Sequence, residues 1–277
     1  MLSRRLKNQP LVSIVTPSYN QAQFLEENIL SVRQQDYPNI EHIIIDGGST
    51  DVSLDIIKKY AAASSNLTWI SEPDRGQSHA INKGLRMAKG EIIGWLNSDD
   101  YYLPGAVSIA VDVLISNPGI GLVYGYCEKV DEQSNKTGLL KSPEFDRNLL
   151  FRNPDVIWQP TVFFRNDLLN KVGYLDEGLH FAMDYDFWLR MAKVTDFKLV
   201  PQALAAYRFS SSCKSVANEQ EFWKEVDEVF RRHGMKINPL YLALHKSKFL
   251  HSLWARVRSP LLVKLKNRLF GFWESEG

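Results

Sequence analysis

The chain has 277 residues, 33 Lys and Arg against 32 Asp and Glu, and 44% hydrophobic residues. That is ordinary composition for a soluble globular protein able to bury a full core, as one large domain or one domain with appendages. No stretch reaches the roughly 18 apolar residues of a spanning helix, and the start, with Arg4, Arg5 and Lys7, lacks the apolar core of a signal peptide. Cys127 and Cys213 form neither a zinc nor a redox motif nor a disulfide framework, so a reducing, cytoplasmic setting is expected.

In chain order, Leu11 to Thr16 predicts a buried parallel strand ended by Pro17, and Phe24, Leu25, Ile29 and Val32 recur at helical spacing. Ile40 to Ile45 predicts a second strand running into the turn Asp46 to Asp51, whose last residues can cap a helix over Val52 to Ala63. Leu67 to Ile70, a loop at Glu72 to Gly76 and a helix through Ala80 to Met87 follow. Glu91 to Leu96 supplies a fourth strand, with Pro104 placed at the first turn of a helix through Ala106 to Ile115. Four strand–helix alternations predict an α/β fold with a parallel sheet flanked by helices on both faces. The loops 16–20, 46–51, 72–76 and 97–100 then open at one edge, which is where such sheets bind ligands.

The later half is more mixed. Gly121 to Tyr126 predicts a strand, and Glu128 to Ser142 a polar hairpin or insertion. Asp155 to Phe164 predicts a strand and pocket wall, and Asp167 to Val172 a short helix. Met183 to Met191 predicts a helix opening on acids, Phe197 to Val200 an edge strand, and Glu219 to His233 a charged helix. From Lys246 to Arg268 the chain carries seven Lys and Arg and no acid. Around Pro260, two apolar faces bordered by these charges fit helices lying on an anionic bilayer through 245–273, or a helix pair packed on the body with its charges outward. Because the body is not basic, nucleic acid is not an expected partner.

The chemistry centres on Trp95 to Asp100, an apolar strand running into two adjacent carboxylates. Side by side these repel, and a semi-buried pair calls for a cation. Hard oxygen donors favour Mg2+ or Mn2+, completed by phosphate oxygens of a substrate. The plain alternative is that Asp99 caps the next helix and Asp100 is solvated. Arg208 and Lys214, in the stretch Tyr207 to Ser215, can close over a diphosphate as a cationic flap or belong to a solvated loop. Gln159 and Trp158 can form an acceptor wall, while His79 and Trp188 read as surface or core residues.

Five runs in order, Val12 to Asn20, Ile45 to Asp51, Glu72 to Gln77, Asn97 to Asp100 and Asp184 to Arg190, resemble the inverting family 2 glycosyltransferases of GT-A fold. The resemblance covers about residues 10 to 215. It implies a Rossmann-like, mostly parallel sheet flanked by helices, with a helical C-terminal extension. The expected organisation is an arm at 1–9, a catalytic domain at 10–235 (nucleotide half to about 105, acceptor half beyond) and a tail at 236–277.

The resemblance further implies that Thr16, Pro17 and Tyr19 line the nucleotide site, that Asp46 hydrogen-bonds base or ribose, and that Arg75 lies near base and phosphates. Asp99, at the last position of the family's Asp-X-Asp element, would bind the Mn2+ or Mg2+ bridging the diphosphate, with Asp100 supporting it or touching the sugar. Asn97 stands at the element's first position in place of Asp, and Gly47 where many members have a second Asp. Asp184 matches the catalytic base, with Met183 where a Glu is usual; read alone, Asp184 can simply cap its helix, and Asp186 reads as structural.

The expected function is metal-dependent, inverting transfer of a sugar from a nucleotide-diphosphate donor, expected to be a UDP-sugar, to a hydroxyl of a glycan or lipid-linked acceptor in cell-surface polysaccharide synthesis. Peripheral contact with the inner face of the cell membrane would come from the tail. A dinucleotide oxidoreductase is excluded, since Pro17 to Asn20 is unlike a Gly-x-Gly-x-x-Gly turn. A catalytically silent sugar-nucleotide-binding or scaffold protein at the membrane is the competing reading that Asn97 and Met183 keep open.

Overall fold

The computed structural model describes residues 9–209 and 218–235. β1 (Val12–Ser18) is buried along its whole length, and β2 (Ile40–Asp46) lies beside it in parallel, Val12 opposite Ile40 and Ser18 opposite Asp46. Strands covered on both faces carry apolar side chains in either direction, so they read as continuous runs. β3 (Leu67–Ser71) extends the sheet past β2 and β4 (Ile92–Trp95) past β1, again in parallel. The crossovers are α1 (Ala22–Arg33), α2 (Ser53–Ala62) and α3 (Gln77–Met87).

Beyond β4 the sheet becomes mixed. In chain order come β5 (Tyr101–Tyr102), α4 (Ala106–Ser116), β6 (Ile120–Val130), β7 (Lys136–Leu140), α5 (Arg147–Leu150), β8 (Phe163–Arg165), α6 (Leu169–Val172), α7 (Met183–Ala192), β9 (Asp196–Arg208) and α8 (Glu219–Arg232). The strand order is β3-β2-β1-β4-β8-β6-β9-β5, with β7 paired to β6. β8 runs antiparallel to both neighbours, and β6 and β9 run parallel.

Several segments differ from the sequence reading. Asp155 to Phe164 is not one strand: Pro154 and Pro160 open two short 3-10 turns, and pairing begins only at Phe163. A proline removes a ladder donor, which confines it to edges and turns. Conversely, the expected edge strand and the run after it are one strand, β9, which lies between β6 and β5 and carries Pro201 within it. Register shifts near Gly125 and Tyr126 let the two strands stay paired past that proline. Pro104 precedes α4 instead of opening it, and Gly105, with φ of 80°, makes the turn between them. Among the described residues no helix is long and apolar enough to cross a membrane.

Alternation along β1 splits the core. Val15, with Trp95, Tyr124 and Phe164, faces α3, α7 and α8 through Ile81, Phe187, Trp188 and Val226. Ile14, with Leu96, Val123 and Phe163, faces α1 and α4 through Val32, Val107 and Val111. The sheet is thus covered on both sides, and its loops carry the chemistry. Gly94 marks how tightly β4 is packed: a Cβ there would lie 2.5 Å from Tyr102 Oη and 2.8 Å from Ile14 Cδ1. Gly94→Ala should therefore cost about 1–3 kcal/mol of stability by overpacking, read as a lower urea midpoint at unchanged slope.

Candidate active site

The loops after β1 and β2 are stapled together. Gly47 N donates to the Ser18 carbonyl at 2.8 Å. Asn20, held at φ of 52°, donates its N–H to Ser49 Oγ at 2.8 Å and accepts the Thr50 N–H on Oδ1 at 2.8 Å. Asp51 accepts from Ala22 N at 3.0 Å and from Ser53 N at 2.9 Å, so one carboxylate serves the starts of α1 and α2.

Asp46 is fully buried and accepts Gly48 N at 3.2 Å, Ser49 N at 3.0 Å and Ser71 Oγ at 2.6 Å on Oδ2, with Ser49 Oγ on Oδ1. Its carboxylate ties the turn after β2 to the end of β3. Thr16 is also buried, its hydroxyl bonded to His42 Nε2 at 2.9 Å, and burial pushes that imidazole down to about 3. Tyr19, by contrast, is 59% exposed at the rim. A Cβ on Gly47 would stand 2.5 Å from Asp74 Oδ2 and 3.3 Å from the Tyr19 ring, so these loops as arranged leave no room for a second aspartate there.

The Asn97 to Asp100 loop is clamped from two sides. Asn28 of α1 donates its amide to the carbonyls of Asn97 at 2.8 Å and Asp100 at 2.9 Å. Opposite, Arg208 at the end of β9 donates its N–H to Asp100 Oδ1 and its Nε–H to the Asp99 carbonyl, both at 2.9 Å. Nη1 reaches the Asp131 carbonyl and Ser134 Oγ, Nη2 pairs with Glu27 Oε2 at 2.5 Å, and the guanidinium lies 4.4 Å from the Phe24 ring centroid. This corrects the expected flap: Arg208 is 3% exposed and braces the acidic loop from within. Lys214, its supposed companion, lies outside the described residues.

Asp99 and Asp100 sit adjacent in this cradle. Burial raises the carboxyl of Asp99, and burial with the Asp99 charge raises Asp100 well above the usual range. Asp100 Oδ2 is buried and makes no hydrogen bond of ordinary geometry, while the Asn97 side chain and Arg208 partly offset the rise of the carboxyl. A buried, unsatisfied carboxylate oxygen next to a second carboxylate is a donor set that suits a hard divalent cation. Among the described residues no three His, Cys, Asp or Glu side chains gather as a complete site, so such an ion would need phosphate oxygens to complete its shell. Asp99 caps no helix, since β5 follows the loop directly.

Asn97 is the hub of an amide network. Its Oδ1 accepts Gln77 Nε2 at 2.9 Å and Trp95 Nε1 at 2.8 Å, and its Nδ2 donates to Gln159 Oε1 at 2.9 Å. Gln159 returns a donor to the Trp95 carbonyl at 2.6 Å. Pro17, buried in β1, pairs with Ile45 of β2. Arg75 is exposed and pairs with Glu177 Oε2 at 2.6 Å. Sequence reasoning assigned no role to Asn28, Gln77, Glu27 or Glu177. For Asn28 a signal existed: it is a polar residue inside the apolar stripe Leu25, Ile29, Val32 of α1. Buried amides on such a stripe need a partner elsewhere.

On the far side of the rim, α7 begins at Met183, and Asp184 in its first turn accepts the Tyr185 N–H at 2.7 Å. One turn on, Trp188 packs against Trp95 with ring centroids 6.4 Å apart, which ties the Asp184 face of α7 to the strand feeding Asn97 to Asp100. The segment before α7 rests on α3: Ser78 Oγ donates to the Leu179 carbonyl at 2.9 Å, and the His180 ring lies 3.6 Å from where a Cβ of Gly76 would stand. Asp186 points to Arg190 at 2.8 Å and His233 at 2.9 Å. Burial pushes its carboxyl up, but those partners more than offset this and hold it below the ordinary value.

A mixed sheet with helices on both faces and acidic loops gathered at one rim is the architecture of GT-A sugar-nucleotide transferases. Mannosyltransferase PcManGT from Pyrobaculum calidifontis, solved with GDP-Man and Mn2+, superposes with a TM-score of 0.64 at 21% identity over 95% of this chain and 80% of that one. TarS of S. aureus, residues 1–349 with UDP, superposes with a TM-score of 0.63 at 21% identity, covering 94% of this chain and 79% of that one. The sequence profile of Glycosyl transferase family 2 matches residues 13–173, and the chain belongs to that family. A glycosyltransferase of Rickettsia typhi is 30% identical over 67% of this chain and 60% of its own length. Chondroitin synthase of Escherichia coli is 28% identical over 84% of this chain, which spans 34% of that longer protein.

The raised carboxyl of Asp100 has a consequence for stability. Below its ordinary value of 3.8 both folded and unfolded chains hold the proton; above it the unfolded chain loses the proton first, so this group costs stability as pH rises toward its folded value. In EDTA, Asp100→Asn should therefore gain stability over the parent, by more at pH 7.5 than at pH 4.5 in urea unfolding. Asp186→Asn should behave oppositely, since its carboxyl is lowered: the stability it contributes is present above 3.8 and lost on acidification.

Proposed function

We propose that the chain is a metal-dependent, inverting glycosyltransferase that moves a sugar from a nucleotide-diphosphate donor, a UDP-sugar, to a hydroxyl of a glycan or lipid-linked acceptor. The observation that carries this reading is the adjacent pair of half-buried Asp99 and buried Asp100, with the unsatisfied Asp100 oxygen, set among loops fastened to one another. Asp99, supported by Asp100, would hold Mn2+ or Mg2+, which when bound offsets negative charge on the diphosphate leaving group. The Mn2+ and GDP-Man in PcManGT and the UDP in TarS support the same ligand classes here.

The chain's own residues do the rest. The exposed Tyr19 ring is suited to stacking on the base, with Pro17 and Thr16 backbone beneath it. Asp46 acts on the nucleotide by holding the Gly47 to Ser49 turn at the ribose side. Arg75, an exposed cation paired with Glu177, would exchange that surface ion pair for a phosphate oxygen. Asn97 and Gln159 would hold the backbone beneath the sugar, and Arg208 braces the acidic loop against the mutual repulsion of its carboxylates. Asp184, at the start of α7, takes the acceptor hydroxyl proton as that oxygen attacks the anomeric carbon opposite the diphosphate. The carbon–oxygen bond to the diphosphate breaks as the new one forms, which inverts the centre.

Asp99→Ala and Asp184→Asn should each lower transfer at least about a hundredfold while the fold is kept. Only Asp99→Ala should also lose Mn2+-dependent thermal stabilisation by donors tested as a panel of UDP- and GDP-sugars. Near-parental turnover by Asp184→Asn would remove it as the base, and stabilisation without turnover under all conditions would favour a silent binding protein. We further propose cell-surface polysaccharide synthesis at the cytoplasmic membrane face, with residues 245–273 as a peripheral contact. Deleting 245–277 should abolish sedimentation with anionic vesicles and leave donor binding intact.

A further inference from the structure

The first turn of α7 has a problem that its own sequence does not solve. The leading N–H groups of a helix lack intrahelical partners, and a Ser, Thr, Asp or Asn at the N-cap usually accepts one of them. Here the N-cap is Ala182, and within the turn Asp184 takes the Tyr185 N–H. The donors at and just before the N-cap are met from 43 residues downstream: Glu225 of α8 takes the Ala182 N–H on Oε2 at 3.0 Å. The same carboxylate accepts Phe181 N at 2.6 Å and His180 N at 2.8 and 2.9 Å on its two oxygens. Three successive backbone donors converge on one anion, at the positive end of a helix, where charge-assisted bonds are strong.

α8 holds the same segment at further points. Arg232 pairs with Asp176, the Phe230 ring lies 5.9 Å from that of Tyr185, and His233 bonds Asp186 at 2.9 Å. Trp223, Val226, Val229 and Phe230 are buried in the same core cluster as Phe187 and Trp188. The helix therefore grips the chain immediately before and after Asp184, while none of these bonds reaches the loops 18–22, 46–53 or 97–100. Among these contacts, those of the Glu225 carboxylate are made to the backbone just ahead of α7.

We propose that Glu225 is a positioning residue for the acceptor half of the reaction: it fixes the 180–182 backbone and so sets the place and direction of Asp184. The inference rests on Asp184 being the base. It implies a division of labour in which the donor site is assembled by residues before Arg208 and the base is aligned by the last described helix.

The test uses the full chain, the best-stabilising nucleotide sugar of the panel with Mn2+, and donor hydrolysis by water as the turnover assay. Glu225→Ala should lower kcat about ten- to a hundredfold with donor KM and donor thermal shift nearly unchanged, as expected when a reacting group is displaced by about an ångström. Glu225→Gln should recover much of that loss, because an amide oxygen can take the place of Oε2 before the three N–H groups. Hydrogen exchange should rise across residues 180–186 in Glu225→Ala and stay at parental level across 46–51. Asp227→Ala, which removes a surface partner of Arg231 on the same helix, should leave all of this unchanged.

Parental kcat in Glu225→Ala, or equal damage to kcat and donor KM, overturns the proposal. If Glu225→Ala does not fold, Glu225→Asp decides: reduced kcat at parental donor KM supports the role, and parental kcat sinks it. Full activity of Asp184→Asn would instead remove the base itself, an outcome separable from a neutral Glu225 beside an inactive Asp184→Asn.

Discussion

Two like charges cannot be placed side by side in a poorly hydrated loop unless something opposite in sign attends them. Much of this protein's architecture around β4 answers that constraint. Asn28 and Arg208 approach the Asn97 to Asp100 loop from opposite sides and hold its carbonyls and one carboxylate oxygen. Burial and mutual repulsion still leave both acids easier to protonate than usual, and Asp100 Oδ2 stays unsatisfied. A pair placed this way is under electrostatic tension, which the divalent ion and diphosphate proposed above would relieve. Binding and stability are thereby coupled through the same two side chains.

The rest of the rim is a problem of holding loops still. Loops between parallel strands and helices share no ladder hydrogen bonds, so side chains must connect them. Asp51 serves two helix starts, Asp46 binds its own turn and Ser71 of the next strand, and the Asn97 amide joins α3 to the turn at Gln159. Short polar residues dominate these staples because they satisfy backbone groups without needing space. The result is a set of loops held to one another by side-chain hydrogen bonds before any ligand arrives, the kind of preorganisation that lowers the entropic cost of binding.

Burial divides the residues that the motifs single out. Tyr19 is exposed at the rim and Asp99 is half-buried. Thr16, Asp46 and Arg208 carry the same motif signal but are buried and spend their polar atoms on His42, on the Ser49 turn and on Glu27. A sequence pattern records that a residue type is needed, and does not record whether it meets a ligand or holds the residue that does. Glu225 shows the reverse: in sequence it is one acid on a charged helix, and only the folded chain reveals three donors converging on it.

The sequence by itself determined the strand–helix alternation through Ser116, the burial of β1 and β2, and the acidic loop after β4. These follow from local composition and period, which are written in neighbouring residues. It did not determine that Tyr101–Tyr102 and Phe163–Arg165 join the sheet, or that β9 runs unbroken through Pro201, because strand pairing is decided by partners far along the chain. Nor could it show that Arg208 faces inward or that an alanine-capped helix borrows a carboxylate from α8. Those are long-range electrostatic and hydrogen-bonding solutions, and they exist only once the chain has brought distant groups into contact.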